Sequence, residues 1–113
     1  MSWVFEPLHG PSDVPLTEGP VWDGRHLYFT HIRADRIFRF DPETGSVVVW
    51  REGTNRTNGL AFDSQGALFG CCSGGRSIVR FDADGSMQVV ADRLDGKRLN
   101  TPNDLAIDRN GRI

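Results

Sequence analysis

Three stretches place an oxygen-bearing side chain directly ahead of a short apolar run: Glu18-Gly19-Pro20-Val21-Trp22, Asn58-Gly59-Leu60-Ala61-Phe62 and Asn103-Asp104-Leu105-Ala106-Ile107. They recur at intervals of 40 residues (58 − 18) and 45 residues (103 − 58). If the intervals mark rotated copies of one unit, Glu18, Asn58 and Asn103 hold equivalent places and converge on a common axis. A carboxylate joined by amide oxygens is a hard donor set, suited to Ca²⁺, Mg²⁺ or Mn²⁺ more than to a thiolate metal. Gly19 leaves room for close backbone approach, and Pro20 fixes its own φ and biases Gly19 toward an extended shape, so Glu18 is expected at a rigid corner. Plainer roles compete at each position. A lone loop Glu is ordinarily a solvated carboxylate, Asn before Gly is a favoured turn pair, and Asp104 can fix a turn beside Asn103.

The elements that would position these residues are short and regular. Pro20 to Trp22, Leu27 to His31, Arg36 to Phe40 and Val47 to Trp50 are runs rich in Val, Ile, Phe, Tyr and Trp. Turn formers separate them at Asp23-Gly24, near Ala34 and at Asp41 to Gly45, a pattern that predicts an antiparallel meander. Leu60 to Phe62, Ala67 to Cys72, Ser77 to Phe81 and Gln88 to Ala91 repeat it. The clearest echo pairs Ile37-Phe38-Arg39-Phe40-Asp41 with Ile78-Val79-Arg80-Phe81-Asp82, 41 residues on (78 − 37). Four strands in about 40 to 45 residues is the signature of a β-propeller blade; solenoid repeats are shorter or helical, and a sandwich has no need of the echo.

The expected class is therefore all-β, a β-propeller of which the chain holds about two blades and the start of a third. Residues 1–17 form an N-terminal segment with Trp3-Val4-Phe5 as a candidate strand and a Pro- and Gly-bearing connection (Pro7, Gly10, Pro11, Pro15). Residues 18–57 form the first blade, 58–102 the second, and 103–113 open the third. Even a four-bladed ring needs about 160 residues, more than this chain has. The turn Asp108 to Gly111 matches Asp63 to Gly66 but is followed only by Arg112 and Ile113. The expectation is an N-terminal fragment of a longer propeller.

Composition narrows the partners. With 38% hydrophobic and 25% charged residues the chain is globular in character, and a net charge of −2 without a Lys/Arg run argues against nucleic acid or an anionic membrane as main partner. A small hydrated ligand is the better expectation. No apolar run is long enough to span a bilayer, and residues 1 to 20 lack a basic start followed by an apolar stretch, so a signal peptide is not expected and the expected compartment is the cytoplasm. Cys71 and Cys72 are adjacent in a strand, where side chains alternate faces, so a bond between them is not expected.

Other motifs carry less. His9, His26 and His31 lack metal-ligand or nucleophile spacing. Asp82-Ala83-Asp84-Gly85 has its Gly fourth where a calcium loop of the EF-hand type needs it sixth, and Ser73-Gly74-Gly75-Arg76 lacks the Lys-Ser/Thr of a phosphate loop. Both read as turns. Trp22, Trp50, Phe40, Phe62 and Phe81 are expected to fill the seams between blades.

Taken together, Glu18-Gly19-Pro20-Val21-Trp22, Leu27-Tyr28-Phe29-Thr30, Ile37 to Pro42, Thr57-Asn58-Gly59-Leu60-Ala61 and Pro102-Asn103-Asp104-Leu105-Ala106-Ile107-Asp108 resemble the N-terminal part of the gluconolactonase and regucalcin (senescence-marker-protein) family. The likeness runs from Glu18 to Ile113. It implies a six-bladed propeller with one divalent cation in the central channel (Ca²⁺ first, with Mg²⁺, Mn²⁺ or Zn²⁺ as alternatives) that hydrolyses sugar lactones or related cyclic esters. By that resemblance Glu18 is a direct metal ligand, and Asn103 contacts the substrate or the metal region. The remaining ligands and the general base lie beyond Ile113. Two departures stand out. Regucalcin-like members carry an Arg two residues before the Asn, at a substrate-binding place held here by Thr101; and the second strand ends in His31 where an Asp is frequent. Two functions follow: a metal-dependent lactonase with Glu18, Asn103, Thr101 and Asn58 as metal- or substrate-binding residues, or a non-catalytic ligand-binding propeller of the same ancestry.

Overall fold

The computed structural model describes residues 1–10 and 16–113. Two four-stranded antiparallel sheets follow one another along the chain, and in each the spatial order is the sequence order. The first holds β1 (Thr17–Trp22), β2 (Leu27–His31), β3 (Arg36–Asp41) and β4 (Ser46–Glu52). The second holds β5 (Thr57–Phe62), β6 (Leu68–Cys72), β7 (Ser77–Phe81) and β8 (Met87–Ala91). A two-stranded ribbon, β9 (Arg93–Leu94) with β10 (Lys97–Arg98), follows. Its turn is Asp95-Gly96, both with positive φ (51° and 77°), the pair that matches the twist of a tight hairpin.

The sheets repeat each other in register as well as in order. The β1–β2 ladder slips by one residue between Glu18 and Val21, and the β5–β6 ladder slips at the equivalent place, between Thr57 and Leu60. A second pair of bulges lies between Ile37 and Phe38 and between Ile78 and Val79. Bulges bend a strand and re-aim its side chains. The first pair falls at Glu18 and Asn58.

Aspartates build the turns at the far end of each sheet. Asp63 Oδ1 accepts the backbone N–H groups of Gln65 and Ala67, each at 2.9 Å, and Asp108 Oδ1 accepts those of Asn110 and Arg112, also at 2.9 Å. The third turn therefore copies the second. These contacts favour the charged carboxylate: the Arg112 backbone N–H, then its side chain, hold Asp108 below the ordinary range. Asp23 is also low; burial works against this, but the His26 and Arg25 backbone N–H groups prevail.

The core lies between the two sheets. Tyr28 and Ile37 meet Leu60, Leu68, Cys72, Val79 and Phe81, with Val21, Trp50, Phe62 and Met87 packed around them. Tyr28 stands edge-on to Trp50 and to Phe62, with ring centroids 5.4 Å apart in both pairs, and Trp50 meets Phe81 at 6.1 Å. Trp50, Phe62 and Phe81 thus fill the seam as expected. Phe40 is buried but stands outside this cluster, and Trp22 is half exposed.

Four other expectations are corrected. Trp3, Val4 and Phe5 form no strand and lie exposed, because β propensity without a paired neighbour does not make one. The inner strands start three residues earlier than the apolar pattern suggested, at Thr17 and Thr57, since Gly19 and Asn58-Gly59 sit inside bulges and are not turns between elements. Gly19 is not extended: its φ is +55°, so the freedom of glycine overrides the bias from Pro20. The third unit forms no strand by Ile113, although its turn is in place. The connection through Pro11 and Pro15 lies outside the described residues.

Candidate functional site

β5 packs beside β1 and β2, which brings the openings of the two inner strands together. Glycine makes the approach possible. A Cβ on Gly19 would stand 2.5 Å from the Asn58 carbonyl oxygen and 3.0 Å from the Gly59 Cα. One step further round, a Cβ on Gly59 would stand 2.7 Å from the Asn103 carbonyl oxygen, while the Gly59 N–H donates to that oxygen at 2.8 Å. The three stretches therefore stack as successive backbones in contact, Glu18-Gly19 on Asn58-Gly59 on Asn103-Asp104.

The stack encloses a cavity of ≈ 300 Å³ lined by Glu18, Gly19, Pro20, Asn58, Gly59, Leu60, Asn103 and Asp104. Glu18, Asn58 and Asn103 are all on its wall. Thr101 is not, and lies exposed. Asp104 is on the wall but was read from sequence only as a turn residue. It does serve the turn, accepting the Leu105 N–H on Oδ1 at 2.9 Å. The signal that could have singled it out is the repeat itself, because Asp104 stands where the first two copies have Gly19 and Gly59.

The cavity wall is oxygen-rich. Asn58 is only 9% exposed as a residue, whereas Glu18, Asn103 and Asp104 stand exposed to solvent. Behind the wall, Thr30 Oγ1 donates to the Glu18 carbonyl oxygen at 3.1 Å, and Ser73 Oγ to the Pro102 carbonyl oxygen at 3.1 Å, which fixes the backbone on either side. The loop ahead of Asn58 is also pinned: Asn55 and Arg56 have φ of 52° and 58°, and Ser73 N–H donates to the Arg56 carbonyl oxygen at 3.3 Å.

Cys71 packs behind Asp104. It is 0% exposed, and burial, with the Asp104 carboxylate adding to it, pushes its thiol up to about 11. Neither cysteine is bonded. Because the folded value is raised, the neutral thiol contributes stability that is full below its unfolded value of about 8.5 and is lost as pH rises through about 11. Alkylation by iodoacetamide at pH 8 is expected to follow global unfolding, and Cys71→Ala should flatten the alkaline limb of a stability profile. Rapid labelling of Cys71 in the folded chain is the contrary result.

Two meanders that repeat in bulge, turn and strand register, with inner strands stacked around an oxygen-lined cavity, define a β-propeller. Residues 16–113 match the family described as the SMP-30/Gluconolactonase/LRE-like region, and the chain belongs to that family. It is 28% identical to a gluconolactonase of Zymomonas mobilis over 90% of this chain and 33% of the relative, and 35% identical to a pentonolactonase of Haloferax volcanii over 87% and 33%. A solved structure of a gluconolactonase from Xanthomonas campestris superposes with a TM-score of 0.79 at 41% identity, covering 84% of this chain and 32% of that one. The chain thus spans about a third of the length of the relatives it matches. Two blades in a third of the length is the proportion of a six-bladed ring (2 × 3 = 6). Among the described residues no helix is long and apolar enough to cross a membrane.

Proposed function

We propose that this chain supplies two blades and one wall of the active cavity of a divalent-cation-dependent lactonase acting on sugar lactones or related cyclic esters. The observation that carries the reading is the meeting of Glu18, Asn58 and Asn103 on a single cavity, from positions 40 and 45 residues apart. The relatives' names supply the reaction class.

The residues present fit a hard cation. The lining offers the carboxylates of Glu18 and Asp104 and the amide oxygens of Asn58 and Asn103, and no His or Cys. Such a set suits Ca²⁺ first and Mg²⁺ or Mn²⁺ next; Zn²⁺ usually takes nitrogen or sulfur. Among the described residues no group of three or more His, Cys, Asp or Glu is assembled. Glu18 would hold the cation, with Asn103 beside it. When bound, the cation polarises the lactone carbonyl and makes a coordinated water more acidic.

The chain's own residues orient and enclose. Asn58 and Asn103 present amide groups to the ring hydroxyls of a sugar lactone, and Pro20 and Leu60 close the apolar side of the cavity. Hydrolysis adds water across the acyl–oxygen bond: the carbonyl carbon gains the water oxygen, the ring oxygen leaves with a proton, and a hydroxy-carboxylate is released. The proton acceptor comes from another part of the ring. Two reduced, unpaired cysteines accord with a cytoplasmic setting.

The test is a ring in which residues 16–113 replace the matching third of the Xanthomonas gluconolactonase. Glu18→Gln keeps shape and removes the charge. Gluconolactone hydrolysis is expected to fall by at least 100-fold, with cation affinity reduced as well. Unchanged turnover by the Gln variant would refute the reading. Cation binding by the unsubstituted ring without turnover of any lactone would favour the non-catalytic alternative.

A further inference from the structure

The turn Ser73-Gly74-Gly75-Arg76 joins β6 to β7 at the cavity end of the second sheet, where Thr57 pairs with Cys72. Its backbone bonds reach one way and its side chains the other. The Ser73 and Gly74 N–H groups donate to the Arg56 and Asn55 carbonyl oxygens at 3.3 and 3.1 Å, on the approach to Asn58. Ser73 Oγ donates to the Pro102 carbonyl oxygen at 3.1 Å and Arg76 Nε to the Leu99 carbonyl oxygen at 2.8 Å, on the approach to Asn103. Arg98 answers by donating from Nη2 to the Gly75 carbonyl oxygen at 3.1 Å. One turn thus clamps the stretches that lead into two of the cavity's amides.

The first sheet has the same device with its polarity reversed. Asp35 stands 41 residues before Arg76 (76 − 35), at the matching end of the turn ahead of β3, and both have left-handed backbones with φ 61° and 55°. Asp35 accepts the Arg56 N–H on Oδ1 and the Thr54 N–H on its carbonyl oxygen, so it holds the connection to the second blade as Arg76 holds the connection to the third unit. The two connections differ in what else secures them. Thr54, Thr57 and Asn58 are buried, so packing also holds the first. Asn100, Thr101 and Asn103 are exposed, and Leu99 and Pro102 only half-buried. A segment outside any strand and without burial keeps its place through its hydrogen bonds. Arg76 and Ser73 supply two of them, at either end of residues 99–102.

We propose that Arg76, assisted by Ser73, is a positioning residue for Asn103: it fixes residues 99–102 so that the Asn103 amide stands at the cavity. The kinetic consequence rests on the lactonase reading above, in which Asn103 meets the ring hydroxyls of the substrate; the structural one does not. A guanidinium acting this way touches no substrate. Its loss alters binding of the lactone more than the chemical step, which is the signature of a raised KM with kcat little changed.

The experiment reads hydrogen exchange at the Gly59 amide, because that N–H donates to the Asn103 carbonyl oxygen at 2.8 Å and so reports where the stretch lies. Arg76→Met keeps the aliphatic stem and removes the donor. In the 113-residue chain it should speed Gly59 exchange about tenfold, while the amides of the β6–β7 ladder keep their protection. Arg76→Lys, which restores an N–H donor, should recover most of the protection. Ser73→Ala should act in the same direction and carries the test if Arg76→Met does not fold. In the complete ring, Arg76→Met should raise KM for gluconolactone about fivefold and leave kcat within about twofold. Arg80→Met, whose ion pair with Asp82 lies at the other end of β7, should change neither. Unchanged Gly59 exchange in a folded variant overturns the proposal, as does an equal rise at every amide, the mark of a general loss of stability. An unchanged KM in an active ring overturns it too. Selective exposure of Gly59 together with an inactive unsubstituted ring would uphold the positioning role and count against the lactonase reading alone.

Discussion

Gly19→Ala is expected to destabilise the chain by about 2–5 kcal/mol, the sum of two independent costs. The first is conformational: Gly19 has φ +55°, where a residue with a Cβ costs about 1–2 kcal/mol. The second is steric. The new carbon would lie 2.5 Å from the Asn58 carbonyl oxygen and 3.0 Å from both the Gly59 Cα and the Leu60 N, and since all three are backbone atoms no side-chain rotation relieves it. Overpacking of this kind typically costs about 1–3 kcal/mol. Against a total of about 5–15 kcal/mol for a typical domain, the loss is large. Urea unfolding of the purified chain reads it directly. Gly53→Ala is the control: its φ of +64° carries a similar backbone cost, but nothing lies within 4 Å of the added carbon. The variants should differ by the steric share alone, and equal losses would mean that the inner strands are not pressed together at Gly19.

The same variant bears on function. Pushing β1 away from β5 moves Glu18 relative to Asn58, so the cation affinity proposed for the complete ring should fall along with stability, whereas Gly53→Ala should leave it intact. Close strand contact then serves the proposed site as well as the fold.

How much of this was legible from the amino acids follows from where the information is local. The turns were legible because Asp63 and Asp108 bond their own following N–H groups, a short-range interaction that Asp-x-x-Gly spells out. The blade repeat was legible because Ile37 to Asp41 and Ile78 to Asp82 must face equivalent neighbours. Strand beginnings were less so. Gly19 and Gly59 look like breakers, and only the neighbouring strand explains a glycine inside a bulge. The β9–β10 ribbon has its Asp95-Gly96 turn in plain view, but Arg93, Lys97 and Arg98 give its short arms no alternating apolar face to recognise. Trp3-Val4-Phe5 erred the other way, offering propensity without a partner. At the cavity, repeat spacing brought Glu18, Asn58 and Asn103 together, while Asp104 escaped because its local role as a turn acceptor is genuine and hides its place on the wall. Thr101 was placed by resemblance alone, and the backbone carries it away from the cavity.

Tyr28→Ala is expected to cost about 3–5 kcal/mol, as for other large buried aromatics, and to change the form of the unfolding transition as well as its midpoint. Tyr28 is 7% exposed and stands between Trp50 of its own sheet and Phe62 of the next, each ring edge-on at 5.4 Å. With Ile37 and Trp50, it is one of the side chains through which the first sheet grips the second. Removing it opens a void at the seam and weakens the coupling between blades, which is a nearest-neighbour term in a repeat architecture. The cooperative transition should then broaden, with a lower denaturant slope, as the sheets begin to unfold separately. Tyr28→Phe separates packing from the hydroxyl. Burial, then the Asp23 carboxylate, raises the Tyr28 phenol above its usual value, with Arg39 opposing. The neutral phenol therefore contributes stability that is complete below about pH 10 and is lost above it. Tyr28→Phe should keep the seam and a single sharp transition, and should reduce the loss of stability above pH 10. A Tyr28→Ala chain that unfolds in one sharp step with an unchanged slope would show that the two blades are held together elsewhere, by the glycine-spaced inner strands more than by the aromatic seam.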